Sequence, residues 1–260
     1  FILEVTNASK CNFEGTTSYS SSSTSFKVKG EIDMYGWIEF KEIEFMAIGQ
    51  DVGAENKEQV AWLGIRNAPV AIYETEKPRS GWAEILSLAE RVGKGPALIP
   101  EDSFERALMM GLSFELAGES GLGWVRRLMM LDGPMKEGPT SESYAFAKFF
   151  GDNYGYSVVA GELAEGRAVQ ILELLGAQLK KQNAIGRRYL VGDSVSALDI
   201  YWAAFAALVF PLPDDVCPMG EGFRAMYEGS PPKVKSAVSS DLLSHRDLIY
   251  EEIIGLPMEF

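Results

Sequence analysis

The stretch Gly192-Asp193-Ser194-Val195-Ser196-Ala197-Leu198-Asp199-Ile200 constrains this chain more than any other. It leads into the longest uninterrupted apolar run, Ile200 to Phe210, which Pro211, Pro213 and Pro218 close. A helix that is apolar all round has no solvent face and must be enclosed by other elements. Ser196 is placed as its N-cap. Asp199, three residues on, is placed to bond back to the Ser196 N–H, a capping box with Asp in the acidic position. Val195 and Ile200 flank the cap as a hydrophobic staple. Asp199 also lies at the positive end of the helix dipole. The run is too short to cross a bilayer, which takes about 20 residues. It therefore predicts a core helix inside a bundle.

The rest of the chain divides into two kinds of sequence. Phe1 to Thr6 reads as a short strand, and residues 12–25 as a Ser-rich insertion. The tract Ser20 to Ser25 has no apolar residue to offset its ordering, which predicts a surface loop. Glu31 to Lys41 fits either a short helix or a buried strand. Ile43 to Ile48 and Asn67 to Glu74 read as strands. Thr75 to Gly81 is a dense turn signal, and Trp82 to Val92 is an amphipathic helix with Ile85, Leu86, Ala89 and Val92 on one face. This order predicts a small α/β domain over residues 1–94. Gly93, Gly95, Pro96 and Pro100 mark a linker, and residues 95–260 read as all-helical. Asp102 to Leu131 is one continuous helical pattern, capped by Asp102 or Ser103. A break is expected over Asp132 to Thr140. Ser143 to Gln182 is helical with interruptions at Gly151, Gly155 and Gly161, and Gly222 to Glu228 and Lys233 to Ile254 are shorter helical pieces.

Composition excludes several function classes. The 260 residues carry 24 Lys+Arg against 37 Asp+Glu, a net charge of −13. That balance repels a phosphate backbone and an anionic lipid surface, so neither nucleic-acid binding nor direct membrane insertion is expected. Two cysteines, Cys11 and Cys217, are too few for a disulfide scaffold, and the single histidine, His245, cannot build a multi-histidine metal site; no metal is expected. The cysteine count fits a soluble, intracellular protein. The first residue is Phe1 rather than Met, which fits a processed chain. The sequence carries no Walker loop, no G-x-G-x-x-G after a strand, no H-E-x-x-H and no G-x-S-x-G.

A buried helix opened by G-D-x-x-S-x-A/L-D late in an all-helical domain resembles the glutathione transferase superfamily. Ala68-Pro69-Val70 at the start of a strand resembles the cis-proline strand of that family's thioredoxin-like domain. The segments Asn67 to Leu86 and Leu242 to Pro257 are similar to uncharacterised glutathione-transferase-like proteins. The resemblance spans about Ile32 to Phe260 and implies a thioredoxin-like N-terminal domain followed by a glutathione-transferase-type helical bundle.

The resemblance also implies roles. The Ala68 backbone beside Pro69 would pair with the cysteinyl part of glutathione. The γ-glutamyl group would sit at the next helix start. The family's acidic residue and Ser/Thr pair there are replaced by Gly81 and Trp82, leaving Ser80 as a substitute cap and Arg79 as a carboxylate ligand. Ser9 or Cys11, just after the first strand, would activate the thiol. The family's following proline is Asn12 here. Trp124 and Arg127 would line the second-substrate cleft, and Ser196 and Asp199 serve as the structural cap. Residue habits offer plainer readings: Trp124 in the core, Arg126 and Arg127 paired with Glu115 or Glu119, and His245 at the surface or capping a helix. The function implied is conjugation or reduction of an apolar electrophile with glutathione as co-substrate. The alternative is a non-catalytic member of the same fold. That protein would dock in a larger assembly through the Ser-rich segment, or form a homodimer.

Overall fold

The structure, a computed structural model, describes residues 2–3, 12–18, 25–31, 70–71, 73, 75–219 and 221–258. The chain divides into two compact units, Phe1–Ala97 with Glu259–Phe260, and Leu98–Met258.

In the first unit, β1 (Ile2–Leu3) runs parallel to β4 (Val70–Ala71). The strands β2 (Asn12–Ser18) and β3 (Ser25–Glu31) form an antiparallel hairpin. Residues 12–18 of the Ser-rich insertion form a strand, and the tract expected as a surface loop lies outside the described residues apart from Ser25, which begins β3. The hairpin register sets Phe13 opposite Gly30, Gly15 opposite Val28 and Thr17 opposite Phe26, alternating with Glu14–Lys29 and Thr16–Lys27. Period-two alternation of this kind needs no long apolar run, and the backbone ladder itself satisfies the peptide groups. After β4 the chain turns through Tyr73 to Glu76, and Ala71 and Arg79 then exchange two backbone hydrogen bonds of 2.9 Å each. Helix α1 (Trp82–Val92) forms where its spacing predicts, but its buried residues are Leu86 and Leu88, and Ala89, expected on the inner face, is exposed. The expected strand Ile43 to Ile48 and the element Glu31 to Lys41 lie outside the described residues, apart from Glu31 itself.

The described residues of the second unit form helices joined by loops, with no strand among them. Helices α2 (Ser103–Ala117) and α3 (Leu122–Glu137) replace the single long helix expected over Asp102 to Leu131. The break is steric. A Cβ on Gly118 would lie 2.7 Å from the Phe114 carbonyl oxygen, and one on Gly121 2.8 Å from that of Glu115. Asp102 caps α2 by accepting from the N–H groups of Phe104 and Glu105, 2.9 Å each. Helix α3 runs on through Pro134 and stops at Gly138, whose φ is +68°. The break expected over Asp132 to Thr140 therefore comes late, because one proline removes one backbone bond without stopping this helix.

Helix α4 (Tyr144–Asn153) and the long α5 (Val158–Ala184) are separated by Gly155, with φ +61°. Gly161 lies inside α5 and does not interrupt it. Instead it permits close approach to α3, since a Cβ there would fall 2.3 Å from Asp132 Oδ1. The buried residues of α5, Ala164, Ala168, Ile171, Leu172, Leu175 and Leu179, form one stripe, and α5 packs along α3.

The apolar run forms helix α6 (Ala197–Ala206). It lies against α2 and against α9 (Ser240–Ile249). Trp202 is fully enclosed, and its indole N–H donates to the Leu242 carbonyl at 2.9 Å. The helices α7 (Glu221–Glu228) and α8 (Pro232–Ala237) precede α9, and a π-type turn (Tyr250–Ile254) follows it. Lys233 to Ile254 is thus interrupted at Val238 and Ser239. Among the described residues no helix is long and apolar enough to cross a membrane.

Candidate functional site

Three clusters hold the residues that the sequence singles out, and each is built within one unit. The first lies before α1. The Ala71–Arg79 bridge folds the turn back so that Arg79 sits beside β4. Arg79 pairs with Glu76, and Arg91, from the last turn of α1, bonds both oxygens of the same carboxylate at 2.6 Å. Arg91 also lies over the Tyr73 ring, 5.5 Å from its centroid. Two guanidiniums thus share one carboxylate. Arg91, and after it Arg79, hold the Glu76 carboxyl below its ordinary range.

The cap of α1 is Gly81, which has no side chain to give, and no side chain caps the helix. This corrects the role expected of Ser80. It lies one residue outside the cap, and its half-buried hydroxyl has no hydrogen-bond partner among the described residues. Glu84, in the first turn, brings Oε2 to 3.4 Å from where a Gly81 Cβ would be. A ligand carboxylate would share this helix start with Glu84, so its charge partners would be Arg79 and Arg91. Ser9, Cys11, Ala68 and Pro69 lie outside the described residues.

The second cluster is the opening of α6. The expected capping box forms. Asp199 Oδ2 accepts from the Ser196 N–H and from its hydroxyl, both at 2.8 Å. Asp199 Oδ1 accepts from the Leu190 N–H and faces His245 Nε2, again at 2.8 Å each. Asp199 is fully buried, and Ser196 and His245 nearly so. This corrects the surface or capping position expected of His245. The flanking Arg246-Asp247 pair suggested exposure, whereas the helical phase turns His245 inward. Ser196, Asp199 and His245 do not form a nucleophile–base–acid relay, because the carboxylate sits between the hydroxyl and the imidazole. The loop before the box is held the same way. Gln178 donates to the Leu190 carbonyl at 2.8 Å, and Gln182 to those of Tyr189 and Gly192 at 3.0 and 3.1 Å.

The third cluster is on α3. Trp124 is half-buried rather than core, and meets the Tyr154 ring edge-on with centroids 4.8 Å apart. Arg127 lies over the same ring at 5.5 Å and donates through Nη1 to the Gly123 carbonyl at 2.8 Å. Arg126, beside it, is buried. It donates through Nε to the Leu208 carbonyl (2.9 Å) and Ser230 Oγ (3.0 Å), and through Nη2 to the Met226 carbonyl (2.8 Å). Neither arginine pairs with Glu115 or Glu119, as residue habits suggested; Glu115 is taken by Arg167 at 2.5 Å. Burial pulls the Arg126 guanidinium down to about 10. It closes the C-terminal ends of two helical segments, where partial negative charge favours a cation.

Sequence reasoning missed Glu76, Arg91 and Tyr154. Arg91 and Tyr154 join their clusters only through folding, 15 residues from Glu76 and 27 from Arg127 along the chain. Glu76 stood in the turn TEKPRSG, where a charge three residues from Arg79 is the signal that was available. The other cysteine, Cys217, is buried, and burial pushes its thiol up, away from nucleophilic use. Among the described residues no group of His, Cys, Asp or Glu is arranged to hold a metal ion.

No family model matches this chain, and no curated protein does. Among solved structures, a maleylacetoacetate isomerase from Methylobacterium extorquens AM1, crystallised with malonate and GSH, is similar at 16% identity. The likeness covers 74% of this chain and 78% of that one, with a TM-score of 0.40. Likeness of that degree defines neither fold nor chemistry for this chain.

Proposed function

We propose that this chain is a glutathione-transferase-like protein, with a thioredoxin-like first unit and a helical second unit. In this reading it conjugates or reduces an electrophile with an apolar body, using glutathione as co-substrate. The observation that carries the reading is the pairing of Arg79 and Arg91 on the single carboxylate of Glu76 before α1. Two guanidiniums face that one carboxylate, with Glu84 at the same helix start, in a chain whose net charge is −13. Glutathione is an anion at neutral pH, and a guanidinium fork matches its carboxylates. The half-buried Ser80 hydroxyl is an added donor. The resemblance of Gly192 to Ile200 to the superfamily's buried helix start supports the same reading, because Ser196 and Asp199 are built into the core.

In the conjugation reaction, the glutathione thiol would lose its proton to water, and the Ser9 hydroxyl or the Cys11 thiol would donate a hydrogen bond to the thiolate that remains. The thiolate would then form a carbon–sulfur bond as the electrophile releases its leaving group. In reduction, two glutathione thiols would supply the two electrons and leave as the disulfide.

Calorimetry of the intact chain with glutathione tests the reading. Saturable heat is expected, lost in an Arg79→Gln/Arg91→Gln double variant that keeps its helical circular dichroism. No heat at millimolar glutathione would sink it. A second reading, a non-catalytic docking element or homodimer, is favoured by α2. Phe104 is 87% exposed there, with Leu108 and Phe114 also exposed. A concentration-dependent dimer without glutathione heat would support that reading.

A further inference from the structure

We propose that Trp124, Arg127 and Tyr154 bind an anionic, planar ligand: a carboxylate carried on an aromatic or conjugated body. The helical unit has several half-buried arginines, and Arg167, Arg187, Arg224 and Arg246 each face a carboxylate. Arg127 does not. Among the described residues its hydrogen bond is from Nη1 to the Gly123 carbonyl, and its charge rests on the Tyr154 ring. Nε and Nη2, the side of the guanidinium that matches the two oxygens of a carboxylate, make no hydrogen bond among the described residues.

The neighbouring cation, Arg126, is also without a carboxylate; its partners are three backbone carbonyls and the Ser230 hydroxyl. Arg126 is held by those carbonyls at helix ends, so the open charge is that of Arg127, and a partly desolvated cation gains most from an anion brought to it. Trp124 and Tyr154, both half-buried and in edge contact at 4.8 Å, supply apolar surface beside the charge. A flat ligand body can lie on that surface while its carboxylate meets the open edge of Arg127. This inference rests on the transferase reading only where it identifies the ligand as the second substrate, and it then gives that electrophile a negative charge.

The test uses the full chain without glutathione, with cinnamate and its neutral isostere cinnamamide as probes. Calorimetry should show cinnamate binding at least tenfold more tightly than cinnamamide. Arg127→Gln should bring the two to the same affinity, and Arg127→Lys should keep only part of the preference, because it retains charge without the fork. Should Arg127→Gln fail to fold, the wild-type chain still decides. The Arg127 Nε–H resonance should shift on adding cinnamate and stay in place with cinnamamide. Equal affinity for both probes, binding of neither, or cinnamate binding unchanged by Arg127→Gln would overturn the proposal. Cinnamate binding without glutathione heat would leave this site standing while the transferase reading falls; the reverse result would separate them the other way.

Discussion

Asp199 accepts hydrogen bonds from Leu190, from the backbone and hydroxyl of Ser196, and from His245, with no solvent contact. A carboxylate so enclosed is tolerable only because every lone-pair direction is used. Asp199→Ala should therefore cost ~3–5 kcal/mol, since it strands two N–H groups and an imidazole in the core. Ser196→Ala, which leaves the carboxylate its other donors, should cost only ~0.5–2 kcal/mol. Denaturant unfolding of the two variants checks this order, and equal losses would contradict it. Glu76 gives a prediction of opposite character, at the surface. Its folded pKa lies below the ordinary range of a glutamate, chiefly through Arg91. The stabilisation it carries is present above its unfolded pKa and is lost as pH falls through the folded one. Arg91→Gln should raise the Glu76 titration midpoint seen by NMR more than Arg79→Gln does.

Helix α5 shows how differently one residue type acts along a single element. Gly161 faces Asp132, which is fixed by Lys136 at 2.9 Å and by the Tyr156 hydroxyl at 2.9 Å. Burial and that bond together push the Tyr156 phenol up to about 12, so it remains a donor at neutral pH. A methyl group at position 161 would force these side chains apart. Gly166, five residues on, is exposed, and a Cβ there would meet nothing within 4 Å. Gly161→Ala should lose ~1–3 kcal/mol, while Gly166→Ala should gain up to ~1 kcal/mol from helix propensity. Melting temperatures moving in the same direction would refute this account of α3–α5 packing. The helix pattern in the sequence is the same around both glycines. Only the neighbouring helix separates them.

At the scale of the whole molecule, the buried core runs through α5 and α6 and takes in Met109 and Leu116 of α2 and Leu242 and Ile249 of α9. Ile171, Leu172, Leu175, Leu198 and Trp202 are without solvent contact. The exposed helix α4 carries Phe146 and Phe149 outward at 38% and 44%. Hydrogen exchange should therefore be slowest over Ile171 to Leu179 and over Trp202 to Ala206, and faster by orders of magnitude in α4. Uniform protection across the helical unit would contradict this core assignment.

The chain's own pattern was enough to locate the helical stretch after residue 100, the amphipathic helix Trp82–Val92, and the capping box at Ser196 and Asp199. Those features depend on contacts within four residues, where spacing and side-chain chemistry act directly. It did not reveal the hairpin of residues 12–31, whose pairing is set by register between two strands. It also could not show where the long helical patterns break, because Gly118 and Gly121 act through carbonyl oxygens that approach only once the turn is made. Tertiary structure alone turned His245 into a core partner of Asp199, gave Arg79 a rival cation in Arg91, and left Arg127 without a carboxylate among the described residues. Each depends on charges or donors far apart in sequence, and their energies are decided by distance and burial, which a linear pattern does not carry.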